Sequence, residues 1–184
     1  MATHTIDTAH SSIGFTVRHM MFAKVHGQFK KWNATLDFNA SDPTKSKLEV
    51  DIDTTSIDTR EAQRDGHLRS PDFLDSEKFP KMTFKSKRIV AAGAGRYEVV
   101  GDLTIRGVTN EVKLDAEQTG SGRDPWGKNR VGFNAKGAIH RSQWGLVWNQ
   151  ALEAGAVLVS DKVEIDVEVQ VVVTEEAVAA GASA

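Results

Sequence analysis

The sequence predicts an all-β fold, an eight-stranded antiparallel barrel with a short helical excursion near residues 59–75. Three observations carry this. From Lys162 to Val171 the chain alternates without a break: Val163, Ile165, Val167, Val169 and Val171 on one face, Lys162, Glu164, Asp166, Glu168 and Gln170 on the other. That period of two gives a long strand one apolar and one wet face. The pattern recurs along most of the chain, and the links between repeats are short and turn-like. Many long half-buried strands joined this way suggest an antiparallel sheet closed on itself.

The strands follow in order. Ile13/Phe15/Val17 mark 11–19, and Ala34/Leu36/Phe38 mark 27–39. Asp42-Pro43 is a turn before 46–57, which carries Leu48/Val50/Ile52. The segment Asp58–Arg69 then loses alternation and gains helix formers, with Asp58 or Thr59 as cap and Glu61 in the first turn. Ser70-Pro71 is placed to start a second short helix. Phe79-Pro80 leads back into strand 81–91, and Ala92-Gly-Ala-Gly95 turns into 95–106 with Tyr97/Val99/Gly101/Leu103/Ile105. Arg106-Gly107-Val108 makes a tight hairpin into 110–119, where Val112/Leu114/Ala116 alternate. A longer polar loop, 120–127, precedes 128–140 with Val131/Phe133/Ala135/Gly137/Ile139. A second excursion, Trp144–Gly155, includes a possible helical turn at Asn149–Ala154. Ala156–Val159 reads equally as strand or barrel-lining loop, before the last strand at 160–173.

Composition bounds the function. At 184 residues without a linker-like stretch the chain reads as one domain over 5–173, with an Ala/Glu-rich tail at 174–184 expected to fray. A chain of this size buries about 70% of its unfolded surface. The formal charge is -2 and no long basic run exists, which argues against nucleic acid. The absence of cysteine excludes disulfides, Fe–S clusters and thiol catalysis. No window approaches 18 apolar residues, so no integral membrane segment is expected. The N-terminus lacks a signal-peptide pattern, which makes a cytoplasmic setting the expectation unless a leader was removed.

Small residues among large ones on the inward faces raise the central question. Gly101, Ala116, Ala135 and Gly137 either relieve barrel corners or leave space along the axis. An eight-stranded barrel can fill itself or hold one ligand, and the pattern alone does not choose.

Candidate chemistry is sparse. His4, His10, His19, His26, His67 and His140 form no HxxxH or HxH pair, so no metal site is expected. No GxSxG elbow exists to support a hydrolase. His19 and Arg141 continue apolar registers at strand ends. Either they close the barrel, as a bonded His and an Arg–carboxylate pair, or they form a polar mouth for an amphiphile's head group. Arg60 and Arg64, four apart on a helix face, suit a phosphate or carboxylate, or equally Glu61, Asp65 and solvent. Trp144 and Trp148 either staple the second excursion over the barrel end or line a pocket entrance. His19-Met20-Met21-Phe22-Ala23-Lys24-Val25 is an adaptable apolar stretch or core filling.

The residues also resemble a known family. His10-Ser-Ser-Ile-Gly-Phe-Thr-Val-Arg-His19 with Gly27-Gln-Phe29 is similar to the start of the YceI-like family. So are Ser56-Ile-Asp-Thr-Arg60, Arg64-Asp-Gly-His-Leu68, Ser70-Pro-Asp-Phe73 and Phe79-Pro-Lys-Met-Thr-Phe84. Gly101-Asp-Leu-Thr-Ile-Arg-Gly-Val108, Arg141-Ser-Gln-Trp-Gly145 and Asp161-Lys-Val-Glu-Ile165 extend the resemblance to residue 173. It implies a lipocalin-like barrel with a long hydrophobic cavity, a bound polyisoprenoid, isoprenoid quinone or other long-chain lipid, no shared catalytic set and no further cofactor, and a homodimer. It also tips the balance toward a hollow interior. Trp144 departs from the phenylalanine common there, and a bulkier ring would shorten the cavity or shift ligand preference.

The expectation is therefore a non-enzymatic carrier or store for an apolar lipid. A lipid-modifying enzyme in the same cavity, or a filled scaffold barrel, are the alternatives. The tail would lie among Phe15, Val17, Leu36, Val50, Val99, Leu103, Leu114, Phe133, Ala135, Gly137, Ile139 and Val167, with Trp144 and Trp148 toward the entrance. The head group would meet His19, Arg141, and Arg60 or Arg64.

Overall fold

The computed structural model describes residues 4–173, so the expected tail at 174–184 lies outside the described residues. Strands form over the alternating segments, with β1 in addition and β3 starting four residues before the expected 27: β1 (Thr5–Ile6), β2 (Ser12–His19), β3 (Ala23–Phe29), β4 (Trp32–Asp37), β5 (Lys47–Asp53), β6 (Ile57–Asp58), β7 (Lys81–Gly93), β8 (Arg96–Ile105), β9 (Val108–Arg123), β10 (Asn129–His140) and β11 (Lys162–Val173). All pair antiparallel in one sheet, ordered β4-β5-β7-β8-β9-β10-β11-β2-β3-β6, with β1 against β11. The sheet curls into a lipocalin-like half-barrel whose apolar face is concave.

The strand count rises from eight to eleven because two expected strands break and the short β1 adds one at the N-terminal end. The chain over 27–39 bends at Lys30-Lys31, and 46–57 bends at residues 54–56. The two corners bond to each other: Lys30 N–H reaches the Ser56 carbonyl at 3.1 Å, Lys31 N–H the Ser56 Oγ at 3.0 Å, and Asp53 N–H the Lys31 carbonyl at 2.9 Å. Pairing therefore passes from Trp32↔Ile52 to Phe29↔Ile57 across a corner. Such bends let a twisted sheet close on itself.

Turn chemistry explains the hairpins. Arg106 and Gly107 both take positive φ, 50° and 75°, between paired Ile105 and Val108. This is the two-residue geometry that matches strand twist. The expected loop over 120–127 is shorter than its composition suggests, because β9 continues to Arg123 and only Asp124–Lys128 turn. Asp124 accepts from the N–H groups of Trp126 and Lys128, at 3.0 and 2.9 Å, which makes the tight turn possible.

Helix α1 (Ala62–Arg69) starts later than expected. Its cap is Glu61, whose carboxylate accepts from Gln63 N–H at 3.0 Å and Arg64 N–H at 2.5 Å. Asp58 and Thr59 are committed elsewhere, to Lys30 at 2.7 Å and to the Asp65 carboxylate. Ser70 does not start a second helix. Its N–H and Oγ both return to the His67 carbonyl and close α1, and 71–78 form turns. Asn149–Ala154 is likewise not helical; a 3-10 turn falls at Glu153–Gly155, and Val157 and Val159 make only isolated bridges. No helix among the described residues is long and apolar enough to cross a membrane.

Far from α1, the barrel end is tied by charge. Arg130 donates to Asp124 at 2.8 Å, to Asp7 and to Gln170 at 3.1 Å. The Arg130 guanidinium, helped by His10, holds the Asp7 carboxyl at about 2, against an ordinary 3.8. A carboxylate depressed in the folded state adds stability above its unfolded value and loses it as pH falls through the folded one. Asp7→Asn is expected to lower stability at neutral pH by about 1 kcal/mol, as for a partly exposed pair. It should also flatten the loss of stability between pH 3.8 and about 2, measured by denaturant unfolding at stepped pH.

Candidate functional site: an apolar cavity with one polar end

The concave face encloses a cavity of about 800 Å³. On β11 its wall runs from Val163 to Val171, eight residue steps, or roughly 26 Å at 3.3 Å per residue. Phe15 and Val17 of β2, Leu36 of β4, Val50 of β5, Val99 and Leu103 of β8, Leu114 of β9, Phe133, Ala135 and Ile139 of β10, and Val167 of β11 all line it. These are the positions the alternation selects.

The small inward residues separate into two kinds. A Cβ on Gly101 would lie 2.5 Å from the Phe84 ring and from the Lys85 carbonyl. A Cβ on Gly137 would lie 2.6 Å from Leu114 Cδ2 and 2.9 Å from the Lys113 carbonyl. Both glycines make room for a neighbouring side chain, so Gly137 does not line the cavity as expected. Ala116 and Ala135 do line it, paired directly across β9 and β10. Two adjacent methyl groups keep the waist of the cavity wide.

One end is polar. Thr59, Glu61, Gln63, Arg64 and His67 reach the cavity from α1 and its approach, His19 from the end of β2, and Arg141 from the end of β10. Arg64 Nε donates to Thr59 Oγ at 2.7 Å and Nη2 to the Thr59 carbonyl at 2.8 Å. Buried Asp65 accepts from Thr59 N–H and Oγ, at 2.9 and 2.5 Å. This knot fixes the start of α1. Arg60 is not part of the mouth. It precedes the helix with φ at 65°, its N–H bonded to Asp58, and it does not line the cavity.

Arg141 is buried but has no carboxylate at its guanidinium, unlike the expected pair. Its Nε donates to the Ser160 carbonyl at 3.0 Å, Nη1 to those of Leu146 and Trp148 at 2.7 and 2.9 Å, and Nη2 to Val159 at 3.4 Å. It thus clasps both arms of the strap over 146–160. Burial pushes its pKa down, while Asp161 opposes the shift. Burial would raise the Asp161 carboxyl, but bonds from Ser142 N–H at 2.9 Å and Oγ at 3.0 Å outweigh it and hold the carboxyl below its ordinary value.

The two excursion tryptophans divide the two roles. Trp144 is 1% exposed and donates Nε1–H to the Leu103 carbonyl at 2.9 Å. It locks the strap to β8 and does not line the cavity, so its bulk does not shorten the tunnel. Gly145, at φ 78°, turns the chain so that Trp148 faces the cavity instead. There Trp148 meets the His67 ring edge-on at 4.6 Å and Phe73 at 5.3 Å. His67 Nε2 lies 2.8 Å from Asp72, and the Arg141 guanidinium lies 5.8 Å from the Phe73 ring. Sequence reasoning missed this aromatic rim. Phe73 and Leu74 lie in turns without periodicity, and only the Ser70-Pro-Asp-Phe73 motif drew attention to them. Among the described residues no three His, Asp or Glu groups stand close enough to hold a metal ion.

Comparison with known proteins agrees with this geometry. A YceI-like domain profile matches residues 4–171. The chain belongs to the YceI-like family. It is 43% identical over 134 residues to a UPF0312 protein of Vibrio parahaemolyticus, covering 72% of this chain and 71% of that one. A crystal structure of the Campylobacter jejuni YCEI protein superposes with a TM-score of 0.73 at 33% identity, over 95% of this chain and all of that one. A polyisoprenoid binding domain from Saccharophagus degradans, described as implicated in plant cell wall breakdown, shares the fold. Its TM-score is 0.67 at 14% identity, over 95% of this chain and all of that one.

The Arg141 clasp has a direct consequence. Arg141→Met leaves strap carbonyls without donors in a buried site, and is expected to cost about 2–4 kcal/mol, the scale of lost charge-assisted hydrogen bonds. Urea unfolding would show the midpoint shift. An unchanged midpoint would mean that the strap does not depend on Arg141.

Proposed function

We propose that this YceI-like protein is a non-enzymatic carrier or store for one long-chain apolar lipid, a polyisoprenoid, isoprenoid quinone or similar amphiphile. The observation that carries this is the cavity itself: about 800 Å³, tunnel-like, apolar along its length and polar at one end. That size lies within the range of small-molecule pockets, ~300–1,000 Å³. An apolar tail removed from water along such walls gains about 25 cal/mol per Å². The Saccharophagus polyisoprenoid binding domain, which has the same fold, supports the ligand class. At the mouth the Thr59 hydroxyl is spent on the start of α1, bonded to Asp65 and taking a bond from Arg64, and His67 is bonded to Asp72, so a carrier fits better than a lipid-modifying enzyme.

Native mass spectrometry of protein purified without detergent tests the reading: a retained lipid-sized mass is expected, and protein of bare mass throughout would overturn it. Ala135→Trp places an indole at the waist opposite Ala116. It should abolish lipid retention while the circular dichroism spectrum and thermal midpoint keep a folded sheet. Retention unchanged in the folded variant would show that the tail does not pass the waist.

The head group rests, on this reading, near Arg64 rather than Arg141. Arg141 spends four N–H donors on the strap, whereas Arg64 is exposed at the rim and bonds only Thr59. Arg64→Gln is expected to weaken binding of an anionic or carbonyl-headed lipid by about 1 kcal/mol, an ordinary net hydrogen bond. Affinity for a headless hydrocarbon of equal length should stay within error. Equal losses for both ligands would assign Arg64 to the helix knot alone.

A further inference from the structure

Beside the cavity mouth lies an apolar surface that neither the cavity nor the core uses. The hairpin from β2 to β3 turns through Met20, Met21 and Phe22, which are 39%, 56% and 76% exposed. Met20 and Met21 both take positive φ, 51° and 70°, and Phe22 N–H closes the turn on the His19 carbonyl at 3.3 Å. Glycine and asparagine adopt this geometry most easily. Large side chains held there against local preference suggest a use for their outward position. The tip adjoins the strap, since Met20 N–H donates to the Leu158 carbonyl at 2.8 Å and His19 bridges Val159. Val147, on the same strap, is 69% exposed.

Charge behind the tip points the same way. Arg18 and Lys24 face each other across the ladder, and both are exposed. Like charges in directly opposed positions repel. Among the described residues neither forms an ion pair with a carboxylate, although Lys30, past the other end of β3, and Lys162 do. An anionic surface laid against the tip would relieve this repulsion.

We propose that the Met20–Phe22 tip docks the protein on an anionic lipid bilayer. The three apolar side chains enter the boundary between head groups and acyl chains, and Arg18 and Lys24 meet the anionic heads. This sets the cavity mouth at the surface that supplies or receives the lipid. A three-residue protrusion is too small for a stable protein interface, which buries about 800 Å² per partner. A fluid bilayer accepts such a wedge. The proposal rests on the lipid-carrier reading, because a bilayer is the source of such a cargo.

Vesicle co-sedimentation of the full chain tests it, using phosphatidylcholine vesicles with and without phosphatidylglycerol. Binding is expected to the anionic vesicles only and to weaken as salt rises. Met21→Asn with Phe22→Ser keeps a turn-compatible residue and should lower the partition coefficient at least tenfold, the scale of a single buried apolar side chain. Lys24→Gln should weaken binding to anionic vesicles by about fivefold. Native mass spectrometry of the tip variant should still show retained lipid. Wild-type protein that stays in the supernatant with anionic vesicles, yet retains lipid, overturns docking and leaves the carrier reading standing. Vesicle binding without retained lipid does the reverse. A wild-type dimer that the tip substitutions dissociate in sedimentation velocity, with vesicle binding unaltered, makes the tip an interface between copies and also overturns the proposal.

Discussion

The fold depends on one constraint: its inner face must be apolar without being filled. Phe15, Leu36, Val99, Phe133 and their neighbours stand around a tunnel, so they forgo the dense mutual contacts that stabilise most cores. The strand ladders and the two ends then carry the burden of holding the sheet closed. At the far end Arg130 ties the start of the chain and the β9–β10 turn together through Asp7 and Asp124. There the Phe38 ring also meets His4 and Phe133 edge-on, at 5.5 and 5.8 Å. At the mouth Trp144 locks onto β8, and Arg141 grips the strap. Packing is uneven along the wall: Leu103 and Ile139 are buried in a cluster with Phe84, Ile105 and Val112, whereas Ala135 is only half-buried.

The Arg141 clasp shows how polarity is used at the mouth. A carboxylate would satisfy the guanidinium more simply, but it would also neutralise it. Backbone carbonyls satisfy its donors and leave the positive charge in place, with Asp161 the nearest opposing influence. Arg18, Lys24 and Arg64 stand at the same end. These cations stand among acidic groups, Glu61 at the cavity, Asp65 beside Thr59 and Asp72 beside His67.

How much of this was legible follows from where the information resides. Period-two alternation reports which side chains share a face, so the apolar wall was readable residue by residue. It does not report what a neighbouring strand places over a position. Ala135 and Gly137 share one face of β10, yet Leu114 covers the second and leaves the first open. The bends at Lys30-Lys31 and Thr54–Ser56 were invisible because hydrogen bonds between distant segments stabilise them. Trp144 and Trp148 read as one pair, either stapling the second excursion or lining an entrance. Gly145 ends the helical turn in a left-handed conformation and sends the two indoles apart. The clasp on Arg141 was the least accessible of all, since carbonyl oxygens are the same at every residue and leave no mark in a sequence.

These features bear on selectivity. The polar residues that resemble head-group ligands are largely occupied: Asp65 by Thr59, Glu61 by the helix N-terminus, Arg141 by the strap. Few donors remain to read a head group's chemistry. Discrimination among tails is weak for each methylene, about 1–3 kcal/mol even in a well-fitted pocket. It becomes steep only where a chain must bend or branch against a fixed wall. The fixed points here are the Phe38–Phe133 contact at the far end and the Ala116–Ala135 waist. On the proposed carrier reading, a cavity built this way would sort ligands by length and cross-section more than by head group.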